Sequence, residues 1–307
     1  MQVGLVGLGR MGGNMAERLL RGGHEVVGYD RDTHAREALA AQGVAAAVSP
    51  EDLVARLGEP RTLWLMLPAG DVTAAAVDQF SRLLSAGDLL VDGANSHYKD
   101  SMRYGESATA RGLEFVDAGV SGGIWGLENG YGLMVGGSPA AVARLRPVLE
   151  TLAPAPDRGW VHVGPVGAGH YAKMVHNGIE YALMQAYGEG FELLRRKTEF
   201  HIDLAAVAEA WRHGTVIRGW LLDLAAEVLR RDQHLEAVAP YVAESGEGRW
   251  TALEAIELGV PAPTITLALQ ERFRSADEVR YDYRLLAMLR NAFGGHPIRS
   301  AEEAHDG

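Results

Sequence analysis

The chain has 307 residues, with 29 Lys plus Arg against 40 Asp plus Glu and a net charge of −11 with His neutral. That excess of acid repels phosphate at long range, which argues against broad nucleic-acid or anionic-membrane binding and leaves any anionic ligand to a local cluster of positive groups. With 0 Cys, disulfides, thiolate metal sites and thiol nucleophiles are excluded, and at ~150 residues per domain the length suggests about two domains.

An apolar run, Val3-Gly-Leu-Val-Gly7, ends in glycines. Residues 14–21 follow, with Met15, Leu19 and Leu20 on one helical face, and then a second apolar run at 24–29 that closes on Asp30. Strand, turn, helix and strand in so short a stretch make a βαβ unit. The alternation continues with a helix near 36–41, strand 62–67, helix 72–84, strand 88–92, helix 101–111, strands 114–117 and 132–135, helix 140–152 and strand 160–163. Strands separated by helices predict a doubly wound, mostly parallel sheet with right-handed crossovers. Beyond a glycine-rich hinge at 164–169 the texture changes: 171–197 is one long helical pattern, and later helices break at 201–203, 213–214, 245–248 and 260–263. Residues 300–307 are polar and expected to fray. No apolar run reaches the ~18–20 residues of a membrane helix. The first residues do not read as an export signal either, so a cytoplasmic enzyme is expected.

Gly7, Leu8, Gly9, Arg10, Met11 and Gly12 fit G-x-G-x-x-G directly after a strand and opening a helix. The first glycine permits the tight turn, the second lets backbone approach a pyrophosphate, and the third allows close helix–strand packing. The pyrophosphate then meets the free N–H groups at the helix start. Asp30, at the end of the second strand, would accept the adenosine ribose hydroxyls and repel a 2′-phosphate, with Arg31 beside it to stack on adenine or pair with such a phosphate. This favours NAD, with NADP as the other candidate; Asp30 could otherwise simply cap the next helix. The fold is therefore read as α/β, a Rossmann-type doubly wound sheet followed by an all-helical domain. Residues 1–166 form the dinucleotide-binding part, and 167–307 the helical part for substrate and dimerisation.

Lys173, His176, Asn177 and Glu180 recur at i, i+3, i+4 and i+7, one stripe of one helix, with Met174, Val175, Ile179 and Ala182 as apolar packing. Lys173 and Glu180 would lie ~10 Å apart along the axis, able to reach opposite ends of a sugar-sized molecule. The plainer alternative is a solvated stripe of ion pairs. A lysine partly desolvated beside a cofactor can take a hydroxyl proton as hydride departs, and a carboxyl in a closed cleft can be held protonated as an acid.

These segments resemble the 6-phosphogluconate dehydrogenases within the wider β-hydroxyacid dehydrogenase group. The wider likeness lies in Gly7-Leu-Gly-Arg-Met-Gly12, Asp117-Ala-Gly-Val-Ser-Gly-Gly123 and Lys173 with Asn177. The narrower one lies in Asp92-Gly-Ala-Asn-Ser-His-Tyr98, Gly122-Gly-Ile-Trp-Gly126 and Lys173-Met-Val-His-Asn-Gly-Ile-Glu-Tyr181. The resemblance runs from residue 1 to about 296 and is sharpened by His176 and Glu180, which simpler β-hydroxyacid dehydrogenases lack.

The resemblance implies oxidation of 6-phosphogluconate at C3, loss of C1 as CO2 and formation of ribulose 5-phosphate. It makes Lys173 the general base that later returns a proton, and Glu180 the acid that protonates C1 of the enediol. His176 and Asn177 would bind substrate hydroxyls. Asn95 would touch both substrate and nicotinamide ribose, while Ser121, Gly122 and Gly123 would hold the substrate carboxylate. Leu67, Pro68 and Ala69 would lie along the cofactor. The phosphate would fall to Tyr181, Arg249, Thr251, Arg272, Arg290 and His296, giving an acidic protein its local positive cluster.

This sequence departs from that pattern in places. It is a short form lacking much of the helical domain of longer members, so whether Arg290 and His296 act in cis or from a neighbouring subunit stays open. Arg249 stands where lysine is usual, and Asp30 where NADP-dependent members carry a small polar residue. A homodimer or homotetramer is expected. No metal site is expected, and the spacing of His24, His34, His162, His201, His213 and His234 offers none; His97 and His170, beside the motifs, read as structural. Trp211, Trp220 and Trp250 are expected to pack the helical core. Two other readings are a non-decarboxylating enzyme, such as a 3-hydroxyisobutyrate dehydrogenase, and a non-catalytic NAD-binding sensor.

Overall fold

The computed structural model describes residues 1–298; the tail expected at 300–307 lies outside the described residues. The elements run β1 (Gln2–Val6), α1 (Arg10–Arg21), β2 (Glu25–Tyr29), α2 (Thr33–Ala40), β3 (Ala45–Ala46), α3 (Pro50–Arg56), β4 (Thr62–Leu65), α4 (Asp71–Leu83), β5 (Leu89–Asp92), α5 (Tyr98–Thr109), β6 (Glu114–Ser121), α6 (Gly126–Asn129), β7 (Gly132–Gly137), α7 (Pro139–Leu152) and β8 (Trp160–Gly164). Helices follow: α8 (Ala168–Arg196), α9 (Leu204–Gly214), α10 (Trp220–Arg231), α11 (Glu247–Glu257), α12 (Pro263–Ala276) and α13 (Tyr281–Gly294).

The strands form one eight-stranded sheet in the order β3-β2-β1-β4-β5-β6-β7-β8. Every pairing is parallel except the antiparallel β6–β7 ladder. The sheet is therefore the expected doubly wound, mostly parallel one. Its central strands alternate between two apolar layers. Val3, Leu5, Trp64, Leu89 and Val91 face Met15, Leu19, Leu145 and Leu149. Val6, Leu63, Leu65 and Leu90 face Leu53, Val77, Phe80 and Ala108. Each fully buried side chain of this size contributes about 1.5–3 kcal/mol, which fixes register strand by strand. The order reverses at β1, whose neighbours are β2 and β4, so the loops after β1 and β4 part to leave the crevice where such sheets bind ligands.

Two corrections concern local structure. The sequence reading missed β3 and α3, both too short to show a period, although Ser49 caps α3 by accepting the Asp52 N–H. The segment 164–169 does not form a free hinge. Gly169 lies inside α8, where a Cβ would come within 2.5 Å of the Met134 carbonyl oxygen and 2.6 Å of that of Asp117. The Asp117 carboxylate accepts the N–H groups of Gly167 and His170 at 2.7 Å each and so fastens the start of the helix to β6.

By compactness the chain divides into two units: the first comprises Met1–Glu180 and Glu247–Pro261, the second Tyr181–Gly246 and the residues from Ala262 onward. The sequence reading changed domain at 166, whereas compactness keeps the first turns of α8, and all of α11, with the sheet. Within the second unit Leu204, Ala208, Ala226 and Leu229 pack α9 against α10, joined by Phe191 and Leu194. The three tryptophans do not form one cluster. Trp211 packs on Phe191, Trp220 is half-exposed, and Trp250 sits edge-on to His97. Among the described residues no helix is long and apolar enough to cross a membrane.

Candidate active site

The glycine turn after β1 has the geometry a dinucleotide needs. Gly7 adopts φ +89°, and a side chain there would strike the Met66 carbonyl. A Cβ on Gly12 would sit 1.9 Å from the Gly7 carbonyl oxygen, so α1 and β1 approach as closely as backbone allows. Gly9 faces open space and is the N-cap of α1 with no side-chain cap, which leaves the first N–H groups of that helix for an anion. Asp30 is half-buried at the tip of β2, where Oδ2 accepts the Leu8 N–H at 2.7 Å and Oδ1 the Asp32 N–H at 2.9 Å. The helix cap of α2 falls instead to Asp32, which accepts the His34 N–H. Asp30 thus ties β2 to the glycine turn. Arg31 beside it is exposed, as is Arg10 on the first turn of α1; Met11 packs against the core. Leu67, Pro68 and Ala69 follow β4, and the Thr73 hydroxyl donates to the Pro68 carbonyl at 2.8 Å, pinning that loop. These residues fit a nicotinamide dinucleotide.

The stripe on α8 is realised in the first unit. Lys173 is 5% exposed and Asn177 9%. The Lys173 Nζ donates to Asn177 Oδ1 at 2.7 Å, and His176 Nδ1 lies 3.0 Å from that oxygen and 3.8 Å from Glu180 Oε2. Burial pushes the Lys173 amine below the usual lysine range, while the negative charges of Glu180 and Glu247 push back. Of the expected apolar companions, Met174 is buried but Ile179 is half-exposed. The Glu180 side chain is 39% exposed, so the first unit by itself does not close over it.

Gly119 on β6 lies against the Lys173 side chain. The other expected site residues come from separate elements. Ser121 ends β6, and Gly122 and Gly123 follow it with φ of +124° and +53°, Gly122 capping and Gly123 opening a short 3₁₀ segment. Asn95 is exposed in the loop after β5. That loop is shaped by Asp92, whose Oδ1 accepts the Ala94 N–H at 3.0 Å. Asp92 is fully buried, and burial pushes its carboxyl up to about 7. His170 is buried beside it with Nδ1 2.7 Å from the Ser101 hydroxyl, and burial lowers its imidazole from the ordinary value. His97 caps α5 by accepting the Lys99 N–H.

The residues expected at the phosphate divide between the units. Arg249 and Thr251 lie on α11 in the first. Arg249 is exposed, whereas Thr251 is buried with its hydroxyl shared between the carbonyls of Met174 and Glu247 at 2.8 Å each. As placed, Thr251 fastens α11 to α8 rather than offering that hydroxyl to a ligand. In the second unit the Arg272 guanidinium lies 3.4 Å over the Tyr181 ring and donates to the Ala243 carbonyl, while the Tyr181 hydroxyl is 3.3 Å from the Ser245 hydroxyl. Arg290 is exposed on α13, and His296 follows that helix, its carbonyl accepting from Asn291. The sequence reading missed the anchoring of α8 by Asp117 and of α11 by Tyr98, whose hydroxyl donates to Glu254 at 2.8 Å. Asp117 stood within a quoted motif, but nothing in its spacing shows that it caps a helix fifty residues on. Among the described residues no three His, Cys, Asp or Glu side chains gather to hold a metal.

Comparison with known proteins agrees with this geometry. Residues 2–164 match the NAD binding domain of 6-phosphogluconate dehydrogenase, and 169–302 match the C-terminal domain of that enzyme. The NAD(+)-dependent, decarboxylating 6-phosphogluconate dehydrogenase of Haloferax volcanii is 46% identical over 304 residues, 99% of this chain and 100% of its own. The decarboxylating enzyme of Bacillus licheniformis is 35% identical over 89% of this chain, which spans only 61% of that longer relative. Among solved structures, Plasmodium falciparum 6-phosphogluconate dehydrogenase, studied with NADP+ and with 6-phosphogluconate, superposes with a TM-score of 0.83 at 28% identity, covering 100% of this chain and 68% of its own. Mycobacterium tuberculosis 3-hydroxyisobutyrate dehydrogenase, at 24% identity and a TM-score of 0.72, shares the fold over 90% of this chain and 94% of its own. The chain belongs to the 6-phosphogluconate dehydrogenase family.

Proposed function

We propose that the protein is an NAD-preferring, decarboxylating 6-phosphogluconate dehydrogenase that converts 6-phosphogluconate to ribulose 5-phosphate and CO2. The observation that carries this reading is the buried Lys173, hydrogen-bonded to Asn177 on the same helix stripe as His176 and Glu180. When bound, the nicotinamide accepts the C3 hydride. Gly7, Leu8, Gly9, Arg10, Met11 and Gly12 hold the pyrophosphate end, Asp30 and Arg31 the adenosine end, and Leu67, Pro68, Ala69 and Asn95 the remainder. The carboxylate of Asp30 supports NAD over NADP, because a 2′-phosphate would bring like charges together.

Lys173, its amine made less basic by burial, takes the C3 hydroxyl proton as oxidation proceeds. The resulting 3-keto acid breaks its C1–C2 bond. CO2 leaves, the electron pair moves into the C3 carbonyl, and Lys173 returns its proton to that oxygen. Glu180 then protonates C1 of the enediol while Lys173 takes back the proton from the adjacent enol hydroxyl, which gives the ketose. Ser121, Gly122 and Gly123 hold the departing carboxylate, and His176 and Asn177 the hydroxyls. Arg249, Tyr181, Arg272, Arg290 and His296 hold the phosphate, with Thr251 anchoring the helix that carries Arg249. A non-decarboxylating oxidation would leave Glu180 without a task.

Residues 1–166 serve the dinucleotide and 167–307 serve substrate and self-association in a cytoplasmic homodimer or homotetramer. The half-exposed Ile179, Leu183 and Met184 of α8, with Leu286 and Met288 of α13, support association with further copies. Lys173→Met tests the mechanism. NAD affinity, read by isothermal titration calorimetry, is expected to stay within about twofold, while hydride transfer falls by about 10²–10⁴; retention of turnover would overturn the assignment.

A further inference from the structure

The loop between β5 and α5, residues 93–97, carries Asn95 and is bounded by two buried polar side chains. Asp92 ends β5 and Ser101 stands on the first turn of α5, both fully buried. A third buried side chain, His170, enters from the first turn of α8. Its Nδ1 lies 2.7 Å from the Ser101 hydroxyl and 3.9 Å from Asp92 Oδ2, so one imidazole meets the loop at both ends. Asp92 steadies the near side, its Oδ1 accepting the Ala94 N–H at 3.0 Å. Ala94 and Ser96 are buried on either side of the exposed Asn95, so the chain is packed around that one side chain. His170 is fixed on its own helix as well. Its N–H is donated to Asp117 Oδ2 on β6 at 2.7 Å, and Lys173 follows one turn later on α8. All of these residues belong to the first unit.

We propose that His170 is a positioning residue, which locks the Asn95 loop to the start of the Lys173 helix through its hydrogen bond to Ser101. This rests on the reading of Lys173 as the proton acceptor and of Asn95 as the contact to substrate and nicotinamide ribose. In that reaction the hydride leaves C3 for the nicotinamide while a proton leaves the C3 hydroxyl for the amine. The groups that serve these two transfers stand on different elements, and a misplacement of about 1 Å between them is costly in rate. A buried hydrogen bond suits the task, because water does not compete there for either partner. The lock needs no particular charge on the ring. In each protonation state Nδ1 either donates to a hydroxyl or accepts from one.

Ser101→Ala removes the partner and leaves the imidazole, whereas His170→Phe keeps a ring without its nitrogens. Measured well below the Tm of each variant, kcat for NAD reduction with 6-phosphogluconate is expected to fall about 10–100-fold in both. KM for either substrate should stay within about threefold, since the binding groups themselves remain. The double variant should lose no more than the worse single one, because the same bond is removed either way. Hydrogen exchange followed by mass spectrometry reads the lock without turnover: peptides covering 93–100 should exchange about tenfold faster in Ser101→Ala. Retention of kcat within about threefold, multiplied losses in the double variant, or unchanged exchange at 93–100 overturns the proposal. Failure of the assigned reaction is distinct, and would appear as a wild type inactive on 6-phosphogluconate in which Ser101→Ala still loosens 93–100.

Discussion

Gly119 lies on β6 with its α-carbon against the root of the Lys173 side chain. A Cβ placed there would stand 2.3 Å from the Lys173 Cβ, 3.0 Å from its Cγ and 3.0 Å from the Gly169 carbonyl oxygen. Ordinary van der Waals contact begins at 3.4 Å, so Gly119→Ala leaves the two Cβ atoms 1.1 Å too close. Both elements are anchored, β6 by its neighbours in the sheet and α8 by Asp117, so the strain falls on α8 at Lys173. Overpacking of this kind costs about 1–3 kcal/mol of stability. A displacement of about 1 Å in a catalytic group costs about 10²-fold in rate. Gly119→Ala is therefore expected to fold, to bind NAD within about twofold of wild type, and to lose about 100-fold in kcat, measured by steady-state reduction of NAD with 6-phosphogluconate. A variant that keeps kcat within about threefold would refute the argument that this packing sets the position of the amine.

Other consequences follow from single contacts. Asp30→Ala removes both the carboxylate and the acceptor of the Leu8 N–H; kcat/KM with NAD should fall about 10–100-fold, and the preference over NADP should shrink or reverse when both cofactors are compared. Burial holds the Asp92 carboxyl at about 7 in the folded chain, against 3.8 for an ordinary aspartate, so the folded chain binds that proton more tightly than the unfolded one. Stability from this group is present below pH 3.8 and lost as pH rises through about 7, and Asp92→Asn should flatten that part of the melting profile and raise Tm at neutral pH relative to wild type. Equal slopes in the two proteins would contradict it. Thr251→Val removes the hydroxyl joining α11 to α8 and should cost about 1–2 kcal/mol in denaturant unfolding, because two buried carbonyls lose their donor.

What was legible in the sequence is what periodicity and backbone chemistry write locally. The glycine turn was legible because Gly7 and Gly12 occupy positions that admit no Cβ, and the stripe on α8 because helical spacing alone aligns Lys173, His176, Asn177 and Glu180. The strands of the sheet were legible as short apolar runs. The contacts that were not legible join residues far apart in the chain. Asp117 capping α8, Tyr98 holding Glu254 and Thr251 bridging α11 to α8 have no local period, because each depends on which elements pack together. The glycines at 164–169 misled for the same reason: a residue type that serves flexibility also serves close approach, and at Gly169 the neighbouring carbonyls decide for the second. β3, two residues long, has no pattern to read.

The most direct measurement follows the label from 6-phosphogluconate marked at C1 while NAD is reduced by the purified protein. The account predicts one labelled CO2 released for each NAD reduced, with ribulose 5-phosphate carrying no label. Reduction of NAD with the label retained in an oxidised acid would contradict it.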